Sequence, residues 1–155
     1  MKSWSHYIFA GIFSTFIAAS IGHAEIMLKD TQGQDIPFST LKGKWVFINY
    51  WAGWCQTCLD EIPQFNQFYS QHKNDPVALF AVNYDELPLF QQKNLIRRFN
   101  ISYPSLINNP ARELDLEDIR GVPVTFVFNP EGALVKTLYG GQTAATLNKV
   151  IADNK

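Results

Sequence analysis

The sequence predicts an α/β fold, a central mixed β-sheet flanked by helices. Three observations carry that prediction. Strand-like apolar runs alternate with segments of helical spacing through the middle of the chain, as in residues 44–50 (KWVFINY) followed by Leu59, Ile62, Phe65 and Phe68. The last third reads as two strands around turn chemistry and then a helix. With 155 residues, 46% hydrophobic and 17% charged, the chain can build one core and has too little material for two ordinary domains. Strands alternating with helices call for a partly parallel sheet covered on both faces, here ending in an antiparallel hairpin.

Residues 1–24 stand apart from that domain. Lys2 is their only formal charge, residues 7–21 read YIFAGIFSTFIAASI, and Gly22-His23-Ala24 puts small residues around the expected cut. A basic start, an apolar run of about 15 residues and a small-x-small end form the pattern of a secretory signal. An uncleaved membrane anchor is the rival, although a spanning helix wants roughly 20 apolar residues. The folded domain is therefore expected over residues 25–155, exported and soluble after cleavage, or tethered if the segment stays. Export places it where disulfides persist, the periplasm in a Gram-negative cell. The remaining chain has 12 basic and 14 acidic residues, which carries no footprint of a nucleic-acid binder.

The elements follow in order. Residues 25–28 and 36–38 flank a turn-rich TQGQD stretch and predict a short hairpin. Residues 44–50 are a buried strand, and the helix after Cys55 extends to about His72 with Pro63 inside it. Pro76 opens a strand at 77–82, followed by a helix near 87–99, a short strand at 103–107 and a helical or irregular connector at 112–118. Residues 124–128 and 133–139 form a hairpin around Asn129-Pro130-Glu131-Gly132, and 143–152 is a closing helix.

Chemistry concentrates at Cys55-Gln56-Thr57-Cys58, between the buried strand and the first helical turn. First-turn N–H groups lack intrahelical partners and the helix dipole is positive there, so a Cys55 thiolate is favoured. Cys58, three residues on, shares that helical face and can resolve a mixed disulfide. A structural disulfide over so short a loop gains little entropy. Zinc wants about four ligands, and c-type haem attachment wants His where Leu59 stands. A redox pair needs only what is present, yet CxxC alone does not decide among these.

The surroundings resemble the thioredoxin superfamily. VFINYWAGWCQTC is similar to its strand, loop and active-site helix, with Trp51, Ala52 and Trp54 before the first cysteine and Pro63 at the helix-kinking position. IRGVPVTFVFNPEG resembles the segment that carries the family's cis-proline, here Pro123, and Gly140-Gly141 falls near the hairpin's end as in the family. The match spans nearly the whole of residues 25–155. Gln-Thr between the cysteines, Asn49 where thioredoxin has a buried aspartate, and a longer interval from Cys58 to Pro123 are similar to the exported TlpA/ResA/DsbE-like branch. The longer interval implies an extra strand and helix before the cis-proline hairpin.

The resemblance implies a thiol:disulfide oxidoreductase, most simply a reductase of client-protein disulfides, apocytochrome c among them, recharged by an upstream membrane thiol donor. Cys55 would be nucleophile and Cys58 the resolving thiol, with the Val122 backbone at a cis Val122–Pro123 bond and Trp54 on the rim contacting the client. No cofactor beyond the cysteine pair and no metal is implied. A disulfide-donating oxidase of the same fold and a non-catalytic binding or metal-delivery module are the alternatives. Glu61 sits where this branch commonly has an acidic residue, one turn after Cys58, where it could exchange protons with that thiol. The plain alternative is a solvated acidic residue near a helix start. Trp45 is expected in the core and His72 at the surface.

Overall fold

The computed structural model describes residues 24–116 and 118–154. The signal or anchor predicted for residues 1–24 falls, apart from Ala24, outside the described residues, among which no helix is long and apolar enough to cross a membrane. A small antiparallel pair, β1 (Met27–Lys29) and β2 (Asp35–Pro37), precedes the 3₁₀ turn Phe38–Leu41. Then come β3 (Trp45–Trp51), α1 (Gln56–Gln71), β4 (Val77–Asn83), α2 (Leu89–Arg98) and β5 (Ser105–Leu106). The hairpin β6 (Val124–Phe128) and β7 (Leu134–Tyr139) and the helix α3 (Ala144–Asp153) complete the chain. The main sheet has the order β5-β4-β3-β6-β7, parallel from β3 to β5 and antiparallel through β6 and β7.

Both crossovers, β3-α1-β4 and β4-α2-β5, advance in the same direction across the sheet. Right-handed connections therefore put α1 and α2 on one face. Leu95, Ile96 and Phe99, from α2 and its C-terminal end, pack on the same cluster as Phe65 and Phe68 of α1 and Leu147 and Ile151 of α3. The opposite face is covered by Leu28 of β1, by Leu41 and by Leu114 and its neighbours in the connector. Every residue of β3 is buried, as a central strand covered on both sides requires. Its alternate side chains Trp45, Phe47, Asn49 and Trp51 face the helices, so one polar residue is placed beneath α1.

The extra strand and helix are α2 and β5, with β5 shortened to two residues on the sheet edge. Leu87 falls outside α2 because the residue before a proline is steered away from helical geometry, and Pro88 itself is extended at φ −54 and ψ 146. The connector around residues 111–115 is a run of turns with Leu114 buried. His72 departs from its expected surface position. The end of α1 packs beside α3, so the His72 ring nitrogens lie 2.8 Å from Asp75 Oδ2 and 2.6 Å from Asn148 Oδ1. It is a half-buried tie between two helices.

Candidate active site

The strand β3 delivers Trp51 and Ala52, both buried, and the chain then turns through Gly53 into α1. A side-chain carbon at Gly53 would lie 3.4 Å from Leu95, so the turn passes close over α2. Cys55 is the N-cap of α1, in extended geometry at φ −90 and ψ 102, and its sulfur accepts the N–H of Cys58 at 3.2 Å. A sulfur thus takes the capping place usually held by oxygen and satisfies one orphan first-turn donor. The two cysteines form a disulfide with Cα atoms 5.2 Å apart. Cys55 keeps 7% of its surface exposed and Cys58 none, so only the first sulfur can be approached from outside.

Facing Cys55 is the turn before β6. The Val122–Pro123 bond is cis, and Cys55 Sγ lies 3.7 Å from the Val122 carbonyl oxygen. A groove of about 670 Å³ opens there, lined by Asp118, Arg120, Val122, Pro123, Tyr139 and Gly140. Trp54 stands on the rim with 67% of its surface exposed, and its indole N–H donates to both carboxylate oxygens of Asp85, at 3.0 and 3.1 Å. The sequence does not single out Asp85. It comes from the loop after β4, and nothing in its local pattern shows that this loop passes Trp54.

Beneath the disulfide lies a buried polar cluster. Glu61 is 3% exposed and shares the inward face of α1 with Cys58, Ile62 and Phe65. Asn49 Nδ2 donates to Glu61 Oε1 at 2.8 Å and to Thr125 Oγ1 at 3.1 Å, and the backbone N–H of Gln142 donates to Glu61 Oε2 at 2.9 Å. Burial pushes the Glu61 carboxyl up from its ordinary 4.5 to about 7, against the Gln142 N–H and the Asn49 amide, which pull it down. A solvated acidic residue would show neither the burial nor the shift. Gln142 reaches this place because the chain passes tightly over α1: a side-chain carbon at Gly141 would stand 3.1 Å from Thr57 Cγ2. The sequence flags Asn49 and the two glycines but carries no sign that the next N–H meets Glu61.

The five residues Cys55, Cys58, Glu61, Val122 and Pro123 are therefore brought to one end of the sheet, with Trp54 beside them on the rim. What such a site can do is thiol–disulfide exchange: one accessible sulfur at a helix start, one buried partner, and a carboxyl poised to hold or release a proton near neutral pH.

Comparison with known proteins agrees with that chemistry. The AhpC/TSA family model matches residues 23–137. Thiol-disulfide oxidoreductase ResA of Bacillus subtilis (strain 168) is 33% identical over 141 residues, covering 91% of this chain and 77% of that protein. ResA of Bacillus anthracis is 28% identical over 142 residues, covering 90% of this chain and 82% of that protein. The crystal structure of StoA from Bacillus subtilis superposes with a TM-score of 0.68 at 29% identity, covering 81% of this chain and 95% of that one. The chain belongs to the AhpC/TSA family, and with its thioredoxin-like fold and Cys55–Cys58 pair it is a ResA-like thiol-disulfide oxidoreductase acting on protein disulfides.

Proposed function

We propose that the protein is an exported reductase of client-protein disulfides, and that Cys55, Cys58, Glu61, Val122 and Trp54 divide the work. The Cys55 thiolate attacks one sulfur of the client disulfide, forming a mixed disulfide and expelling a client thiolate. Cys58 gives up its proton, attacks Cys55 Sγ and releases the second client thiolate. The client gains two electrons and two protons, and the enzyme is left with the Cys55–Cys58 disulfide. A thiol donor upstream restores the dithiol, so the cycle needs no cofactor beyond the pair.

The observation that carries this reading is the buried Glu61 under a fully buried Cys58. A buried thiol ionises reluctantly, and Glu61, one helical turn on along the same buried face and with its pKa raised to about 7, would take that proton directly or through a water. The same carboxyl bears on direction. Strong oxidants stabilise their reduced thiolate form. Here Gln56 and Thr57 bring no charge, and an ionised Glu61 next to Cys58 disfavours a second negative charge, which shifts the balance toward the disulfide. The reduction potential of the pair tests the direction, with a reducing value expected and a strongly oxidising one against it.

The Val122 carbonyl at the cis turn supplies an acceptor for an extended client backbone, and Trp54, fixed by Asp85, offers an apolar wall beside Cys55. Apocytochrome c, presenting a disulfide in an unfolded segment, is the client class implied by the resemblance to the TlpA/ResA/DsbE-like branch, and a membrane thiol donor is the matching recharging partner. Export rests on residues 1–24. The mature chain is expected to begin at Glu25, as N-terminal sequencing of the exported protein would show; Lys2 and Ser3 still present would mean a retained anchor.

A further inference from the structure

Asp85, which holds the Trp54 indole, is bracketed on both sides. The Tyr84 N–H donates to the Trp51 carbonyl at 2.8 Å, tying the start of this loop to β3. On the other side Glu86 takes left-handed backbone geometry at φ 49, which is unfavourable for a residue that carries a side chain. Its carboxylate accepts from Asn109 Nδ2 at 3.1 Å. Asn109 Oδ1 in turn accepts the Tyr50 hydroxyl at 2.8 Å and the Ala111 backbone N–H at 3.0 Å. The Ala111 N–H can only donate, so the amide has one orientation: its oxygen faces Tyr50 and Ala111, and its nitrogen faces Glu86.

These bonds close a circuit. Tyr50 lies four residues before Trp54, on the strand that delivers the rim. It is fully buried and packs edge-to-face against Phe126 of β6 at 5.8 Å. Burial, and then the charges of Glu113 and Glu86, push its phenol above the usual range, so it stays a donor. From Tyr50 the path runs through Asn109 to Glu86, across one peptide to Asp85, and back to Trp54. A cleft of about 610 Å³ separates this loop from the connector, with Asp85, Glu86, Asn109 and Arg112 on its walls. The loop thus borders open space where packing would otherwise hold it, and the Asn109–Glu86 bond joins the two walls. Trp54 itself is mostly exposed, so hydrogen bonding more than burial decides where its ring stands.

We propose that Asn109 is a positioning residue for client binding: anchored on Tyr50, it holds Glu86 and so fixes the Asp85 carboxylate beside the Trp54 indole. The proposal rests on Trp54 being a wall for the client. Its physical content is a population. A ring free to leave the rim presents the wall only part of the time, and the apparent client affinity falls by that fraction. Chemistry at Cys55 and Cys58 does not pass through this circuit, so the exchange steps themselves should not change.

Glu86→Ala removes the outer bond at an exposed position, and Asn109→Ala removes that bond together with the anchor on Tyr50. Glu86→Gln keeps an acceptor for Asn109 and should restore wild-type behaviour. The reduced full chain is mixed with increasing amounts of a synthetic peptide carrying an oxidised C-x-x-C-H segment, the haem-attachment pattern. Single-turnover rates then give a half-saturation concentration and a limiting rate, and thermal melts check folding. Both alanine variants are expected to raise half-saturation about fivefold, the effect of losing one hydrogen bond of ordinary net strength. The limiting rate, and reaction with the small hydroxyethyl disulfide, should stay as in wild type. On a Trp54→Ala background neither variant should have any effect. Half-saturation within about twofold of wild type in Glu86→Ala, while Trp54→Ala itself raises it, overturns this proposal alone. So does an effect that persists in full on the Trp54→Ala background. Trp54→Ala that leaves half-saturation unchanged removes the client-wall reading, and this proposal with it.

Discussion

Cys58→Ser is expected to stop turnover while leaving the first attack intact, so that clients accumulate as mixed disulfides on Cys55. The geometry sets this asymmetry. Cys55 alone has exposed surface, caps α1 with its sulfur and faces the Val122 carbonyl, whereas Cys58 is enclosed between the helix and the sheet. Without Cys58, release must wait for an external thiol. An intramolecular thiol acts at an effective concentration far above the millimolar range of any added thiol, so release should slow by about 10³-fold or more. Cys55→Ser should neither turn over nor trap. Non-reducing electrophoresis of each variant after exposure to a disulfide-bearing protein reads both outcomes. Trapping by Cys55→Ser and none by Cys58→Ser would reverse the assigned roles.

Glu61→Gln should separate the proton step from the fold. It keeps the shape of the buried carboxyl and can still accept from Asn49 or Gln142, but it cannot titrate. A general base of this kind contributes about 10²–10⁴-fold, so the resolution rate near pH 8 should fall by that order and its dependence on pH in the neutral range should flatten. Stability should respond in the opposite sense. The fold raises the Glu61 pKa from 4.5 to about 7, so the native state binds this proton more tightly than the unfolded chain does. The stability that comes from holding the neutral acid is complete below the unfolded value and is lost as pH rises through about 7. Full expression of that shift amounts to roughly 3 kcal/mol between acid and mildly alkaline solution. Denaturant unfolding of the oxidised wild type should therefore show this fall, and the Gln variant should lack it. Equal pH slopes in the two proteins would mean that Glu61 is ionised in the fold well below neutrality.

The CxxC pair and the strand before it are legible in the sequence because a dense apolar run and a helix start sit next to one another in the chain. The cis-proline at 123, by contrast, is reached only through the resemblance to the thioredoxin superfamily. Burial of Glu61 is half legible. Its spacing from Cys58 gives the facing, but the partners that make the facing matter come from β3, β6 and the segment after Gly141, far away in sequence. Asp85 carries no local signal at all. It meets Trp54 through a contact set by strand order and loop path, and a carboxylate in a loop looks ordinary until the sheet is assembled. His72 misleads for the same reason, since only the packing of α3 on α1 brings Asn148 to it.

The direction in which electrons leave the pair is the central claim, and the reduction potential measures it. Equilibration of the domain in graded dithiol and glutathione buffers, followed by acid quench and a count of free thiols on Cys55 and Cys58, gives the value directly. An uncharged Gln56-Thr57 dipeptide above a buried carboxyl predicts a potential near thioredoxin's about −270 mV, with the disulfide the favoured form in any milder buffer. A potential close to the about −120 mV of the oxidant DsbA would contradict the reductase reading and make this protein a donor of disulfides.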